Sequence, residues 1–237
     1  MVKGKRKPFE EIRDMVKRHR KVLNVGCGGC VSVCYAGGMK EVNILNDQLS
    51  AVFRQENHPF VIDGYTVERQ CNQSLLAELD SIAPKYDAMI SMACGAGCQY
   101  LAERFPKIPV YPAINTMFIG VDKEIGMFEE RCRACGTCVL GLTGGICPVT
   151  RCAKSLFNGP CGGTNQTSCE VSKDIPCAWY DIYFRLKEIG QLDNILKVKD
   201  VMEWRNTTRG VFVQEGYEAR FAPKEKGKLG ELISRIH

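Results

Sequence analysis

The stretch from Cys132 to Cys177 limits what this chain can fold into more than any other. It reads CRACGTCVLGLTGGICPVTRCAKSLFNGPCGGTNQTSCEVSKDIPC and holds eight of the fourteen cysteines. C-x2-C-x2-C opens it at Cys132, Cys135 and Cys138, and a Cys-Pro pair follows at Cys147-Pro148. Cys152, Cys161, Cys169 and Cys177 come next, separated by Gly, Asn, Thr, Ser and Pro. Large apolar side chains are too few here for a core of its own. Thiolate–metal bonds are the interaction expected to hold the segment.

With 237 residues, 45% of them hydrophobic and 25% charged, the chain has material for one large domain or two modest ones. The N-terminal MVKGKRKPFEEIRDMVKRHRK has no apolar signal region, and no apolar run approaches the roughly 18 residues of a membrane span. The expectation is a soluble, cytoplasmic protein with reduced thiols and metal-binding cysteines. A net charge of +5 is mild. Lys3, Lys5, Arg6, Lys7, Arg13, Lys17, Arg18, Arg20 and Lys21 concentrate positive charge at the front, as a solvated helix face and frayed terminus or as a docking surface for an acidic partner. No aromatic interleaving or binding motif accompanies them, so no nucleic-acid partner is expected.

Along the chain, apolar spacing predicts a helix from Phe9 to about Arg20 and a strand at Val22–Val25. The Gly-rich loop GCGGCVSVC then carries Cys27, Cys30 and Cys34, and a helix runs from Met39 to about Arg54. Strands are predicted at Phe60–Ile62 and Tyr65–Glu68, split by an Asp63-Gly64 turn, and a helix over Gln73–Ile82. A strand at Asp87–Met92 leads into ACGAGC, with Cys94 and Cys98, then a helix through Phe105 and a last strand at Ile108–Pro112. Asn115–Phe128 reads as a link, and Ala178–Ile189 as a helix stopped by Gly190.

This alternation predicts an α/β, Rossmann-like, mainly parallel sheet followed by a cysteine-rich, loop-dominated module with a C-terminal helix and extended tail. The expected domains are 1–120, 121–190 and an arm at 191–237, whose apolar residues, Trp204 among them, are too scattered for a core. Cys27, Cys71 and Cys94 each fall just beyond a predicted strand's C-terminal end, the edge where open α/β sheets bind ligands. Cys27, Cys30, Cys34 and Cys94 form the preferred four-thiolate set, with Cys71 in reserve.

Three thiolates from one short turn suit a [4Fe–4S] cube, whose fourth ligand is often a Cys followed by Pro. Here eight residues intervene between Cys138 and Cys147, against three in the bacterial ferredoxin run, so the fourth ligand is not fixed. Zinc is the rival, although pairs sharing Cys135 do not resemble a zinc ribbon. Cys152, Cys161, Cys169 and Cys177 complete a second cluster or a zinc site, or remain small buried hydrophobes. GCGGC lacks the dinucleotide fingerprint. With His19, His58 and His237 as the sole histidines, no nucleophile–base pair is visible. The chain reads as an electron carrier or metal-stabilised module.

CGTCVLGLTGGICPVTRCAKSLFNGPCGG, continuing through CEV to CAWYDIYFRL, resembles the methylenetetrahydrofolate reductase C-terminal family, the cysteine-rich module of the MetV-type small subunit of heterodimeric reductases. VGCGGCVSVCYAGGMKEV, ERQC at Cys71 and SMACGAGCQ at Cys94 fit the same subunit, so the resemblance spans about residues 20–190. It implies two or more [4Fe–4S] clusters, held through Cys27, Cys30, Cys34, Cys94, Cys132, Cys135, Cys138 and Cys147. It also implies a flavin-bearing TIM-barrel partner whose FMN reduces methylenetetrahydrofolate to methyltetrahydrofolate. Ferredoxin or further redox subunits are candidate additional partners. The competing readings are a zinc-stabilised structural subunit and an electron carrier for another methyl-transfer enzyme.

Overall fold

In the computed structural model, which describes residues 1–202 and 211–221, strand β2 (Lys21–Cys27) is buried along its whole length after Lys21. Its sequence, KVLNVGC, is the near-continuous apolar run expected of a strand covered on both faces. It pairs in parallel with β3 (Val61–Val67) on one side and β4 (Ala88–Met92) on the other. With β5 (Val110–Pro112) the sheet order is β3-β2-β4-β5, all parallel.

Alternate side chains of the sheet feed two cores. Val22, Ala88, Ile90 and Met92 pack with Ile12 and Val16 of α1 (Phe9–Val16) and with Leu45, Leu49 and Phe53 of α3 (Met39–Gln55). Leu23, Val25 and Met89 face the opposite way, against Leu76 of α4 (Gln73–Leu76) and Leu101 of α5 (Gly95–Arg104). Between β2 and α3 lies one further turn of helix, α2 (Cys30–Val33).

Several predicted elements change shape. The first helix stops at Val16 rather than Arg20. Asp63-Gly64 is no turn but the middle of β3, where Gly64 is needed because a Cβ would lie 2.7 Å from Val42 Cγ1 of α3. The helix expected over Gln73–Ile82 is one α turn, capped by Asn72 Oδ1 accepting from Ser74 N–H and Leu75 N–H, followed by 3-10 turns. The supposed link is an antiparallel ribbon of β6 (Ile114–Glu124) and β7 (Met127–Cys132), and residue 120 lies within it. The supposed frayed terminus is β1 (Val2–Arg6), hydrogen-bonded along β6. Lys3 is almost wholly buried, its ammonium paired with Asp122 and 4.6 Å from the Phe128 ring centre.

Beyond the ribbon come α6 (Pro148–Arg151), three short antiparallel strands β8 (Thr164–Asn165), β9 (Ser168–Cys169) and β10 (Ser172–Pro176), and α7 (Ala178–Glu188). A small core does form here. Trp179, Ile182 and Leu186 of α7 pack with Ile146, Cys152, Cys177, Leu192 and Ile195.

The chain divides into two units. The larger comprises Met1–Arg133 and Val139–Val198, and the smaller joins Ala134–Cys138 to the segment from Lys199 onward. The smaller unit contains α8 (Glu218–Phe221), with Val211, Phe212 and Phe221 exposed, and Trp204 lies outside the described residues. Among the described residues no helix is long and apolar enough to cross a membrane.

The α3 interface gives a direct test of this packing. Leu45→Ala, at a fully buried position, should lower the unfolding free energy by about 2–5 kcal/mol. Val61→Ala, at the exposed start of β3, should change it by less than about 0.5 kcal/mol. Urea unfolding of both variants at equal metal content checks the contrast.

Candidate functional site

The N-terminal thiols gather where the parallel strands end. Cys27 is the last residue of β2 and is buried. Cys94 lies two residues beyond β4 as the N-cap of α5, and Cys71 is exposed in the loop after β3. The Cys27 sulfur is within electrostatic reach of both, and it accepts main-chain N–H groups of Gln70 and Gly29. Burial pushes the Cys27 thiol above its ordinary range, with Cys71 and Cys94 adding to the rise and the two N–H donors opposing it. Gly28 N–H donates to Val67 O at 2.9 Å and Cys27 N–H to Gly37 O at 2.8 Å, which ties the Gly-rich loop to the sheet edge.

Cys30 is half-buried at the start of α2. Cys34 is placed differently from the expected set. Its buried thiol lies 3.2 Å from Cys30 O and 3.6 Å from Val2 O, so its proton is directed at backbone carbonyls. It also lines a separate recess of about 370 Å³ beside Lys3, Phe118 and Phe128. Cys98 is half-buried in α5, where burial and then Cys94 push its thiol up.

The second group is built on loops. Cys152 caps the C-terminus of α6, Cys169 is buried in β9, and Cys177 is the N-cap of α7, its N–H donating to Thr167 O at 2.9 Å. Cys161 is exposed between Gly159 and Gly162, whose φ values of +100° and +76° suit glycine alone. All four cysteines line one predominantly apolar cavity of about 200 Å³ with Trp179 and Tyr180. Gly163 N–H points at Cys161 Sγ from 3.4 Å, and Lys154 Nζ, paired with Glu170, lies 3.8 Å from the same sulfur. The Gly163 N–H, followed by the Lys154 charge, holds the Cys161 thiol below its ordinary range.

The C-x2-C-x2-C run straddles the two units. Cys132 ends β7 in the larger unit, and Cys135 and Cys138 belong to the smaller one. Cys147, N-cap of α6, is in the larger unit on an element packed against β7: Thr150 Oγ1 donates to Arg131 O at 3.4 Å, and Arg151 pairs with Glu129 at 3.3 Å. In the smaller unit Ala134 and Gly136 take positive φ, which turns the run sharply. Among the described residues no three His, Cys, Asp or Glu side chains are gathered tightly enough to hold a single metal ion.

Sequence reasoning gave no signal for the donors around these sulfurs. Gln70, Gly163 and Lys154 reach them only through the fold. Glycine-richness around Cys161 was the one visible hint.

Fold and site together define an α/β protein with one thiol group at the edge of its parallel sheet and a cysteine-lined cavity in an appended module. Residues 111–205 match the family described as methylene-tetrahydrofolate reductase C terminal. The match begins in β5, so the cysteines of the sheet edge lie outside it. No curated protein and no solved structure matches the chain.

The opposed environments of Cys27 and Cys161 predict their reactivity in the metal-free chain. A depressed thiol is ionised from a lower pH and a raised one only at higher pH, and thiolate is the nucleophile. At pH 7 iodoacetamide should label Cys161 well before Cys27, and the gap should narrow as pH rises. Lys154→Gln should slow labelling at Cys161 alone. Peptide mass mapping over time reads both.

Proposed function

We propose that this protein is the iron–sulfur electron-transfer subunit of a methylenetetrahydrofolate reductase complex, of the MetV type. The observation that carries the reading is the convergence of Cys152, Cys161, Cys169 and Cys177 on one apolar cavity. Thiols that border a volume, rather than closing on a point, suit a polynuclear cluster better than a single tetrahedral zinc ion. The family match over residues 111–205 supports the reductase assignment.

The donor set fits such a group at both places. In the appended module the four cysteines supply thiolates, while Gly163 N–H and Lys154 direct positive charge at Cys161. Trp179, anchored by its Nε1–H donating to Leu156 O at 2.8 Å, excludes water from one wall. At the sheet edge Cys27, Cys71 and Cys94 are brought together, and Cys30, at the start of α2, is the fourth member. This set replaces Cys34 by Cys71, because the Cys34 proton points at carbonyls under β1.

When bound, a [4Fe–4S] cluster supplies one-electron transfer, and hydrogen bonds to its sulfurs and its exposure set its potential. The chain's own part is to hold the thiolates, aim N–H groups at them and keep water out. Reduction of methylenetetrahydrofolate belongs to the FMN of a TIM-barrel partner, to which this subunit passes electrons.

Anaerobic purification followed by iron, sulfide and zinc quantification tests the reading. A brown protein with about eight or more irons per chain is expected, co-purifying with a flavoprotein that reduces methylenetetrahydrofolate. Cys169→Ala should remove about four irons. A colourless protein that holds zinc alone after reconstitution overturns the electron-transfer role, and recovery with a corrinoid protein overturns the partner.

A further inference from the structure

Gln70 lies three residues beyond β3, next to Cys71, and is fully buried. Its Nε2 donates to Val25 O at 2.7 Å and Gly26 O at 3.2 Å. Carbonyls only accept, so these two contacts fix which way the amide faces. Its Oε1 is therefore the atom 2.7 Å from Ser91 Oγ, and it accepts the hydroxyl proton of that fully buried serine in β4. The main-chain N–H of Gln70 points at the Cys27 sulfur.

Buried hydrogen bonds thus run in one direction, from the Ser91 hydroxyl through the Gln70 amide to the last carbonyls of β2 before Cys27. The geometry requires a close approach of α5. A Cβ at Gly97 would lie 2.9 Å from Gln70 Cβ and 2.8 Å from Ala93 Cβ.

We infer that Gln70 is the positioning residue of the sheet-edge thiol site. It clamps the Cys71 loop to the end of β2, ties that loop to β4 through Ser91, and presents an N–H to the Cys27 sulfur. This rests on the cluster reading given above. An N–H aimed at a ligating sulfur favours the more negative, reduced form of a cluster, so loosening the loop lowers the potential.

The test uses the full chain reconstituted anaerobically with iron and sulfide. Gln70→Glu keeps the side-chain shape but sets a carboxylate oxygen against the Val25 and Gly26 carbonyls. It should shift one midpoint potential downward in an EPR-monitored titration and leave the others in place. Unmoved potentials overturn the inference.

Failure of the cluster reading is visible separately, as a parent that binds no iron. The positioning is then judged on metal-free chain. Gln70→Leu should let iodoacetamide reach Cys27 about tenfold faster, the equivalent of one buried hydrogen bond. Ser91→Ala, which leaves the Gln70 amide oxygen without its donor, should raise the Cys27 rate by a smaller factor. Unchanged rates at Cys27 count against the inference.

Discussion

The parallel pairing of β2 on both sides is the constraint on which the sheet-edge site depends. Its register sets Cys27 level with Val67 of β3 and Gly26 level with Met92 of β4. Three loops therefore leave one edge of the sheet side by side, and each carries a cysteine. The loops are held closely. Gly37 passes so near β4 that a Cβ would lie 2.0 Å from Met92 O, and its own carbonyl accepts from Cys27 N–H. Thiols far apart in sequence are thus brought together by backbone pairing, before any bound group contributes.

The appended module is built on the opposite principle. Two of its strands are two residues long, and its core is one helix face, Trp179, Ile182 and Leu186, closed by Ile146, Leu192 and Ile195. So little apolar burial gives modest stability. The cysteines take part in that packing, since Cys152 and Cys177 touch the helix core and Cys169 is buried. A group bound by these thiols stabilises the module directly, because its binding free energy becomes folding free energy.

The parallel sheet was legible because its signals are local: β2 and β4 are short apolar runs, and Leu45 and Leu49 recur at helical spacing. The convergence of Cys27, Cys71 and Cys94 followed from strand ends alone. What escaped was non-local. Val2–Arg6, as VKGKR, carries mostly charge and becomes a strand only because β6 offers it an edge. Asp63-Gly64 has the composition of a turn, but the glycine answers to Val42 across the α3 interface. On the proposed reading, the choice between Cys34 and Cys71 likewise depends on where Val2 O sits, which no spacing in GCGGCVSVC encodes. Apolar mass in the cysteine-rich segment was underestimated because Trp179, Ile182 and Leu186 come from the helix that follows it.

The two thiol sites use one ligand type in opposed surroundings. At the sheet edge, burial and neighbouring sulfurs favour the protonated thiol, and the N–H groups of Gln70 and Gly29 oppose this without reversing it. At Cys161, exposure is high, and the Gly163 N–H with Lys154 favours the thiolate. A metal or cluster must displace whatever protons its ligands hold, so loading through Cys27 is held back to higher pH than loading through Cys161. Acid disfavours loading at Cys27 first, because a raised thiol keeps its proton to higher pH, whereas Cys161 gives up its proton at lower pH. On the proposed reading, Cys161 gives up its proton to an incoming metal more readily than Cys27 does. The sheet edge, already assembled by the fold, needs no further folding but must release the Cys27 proton.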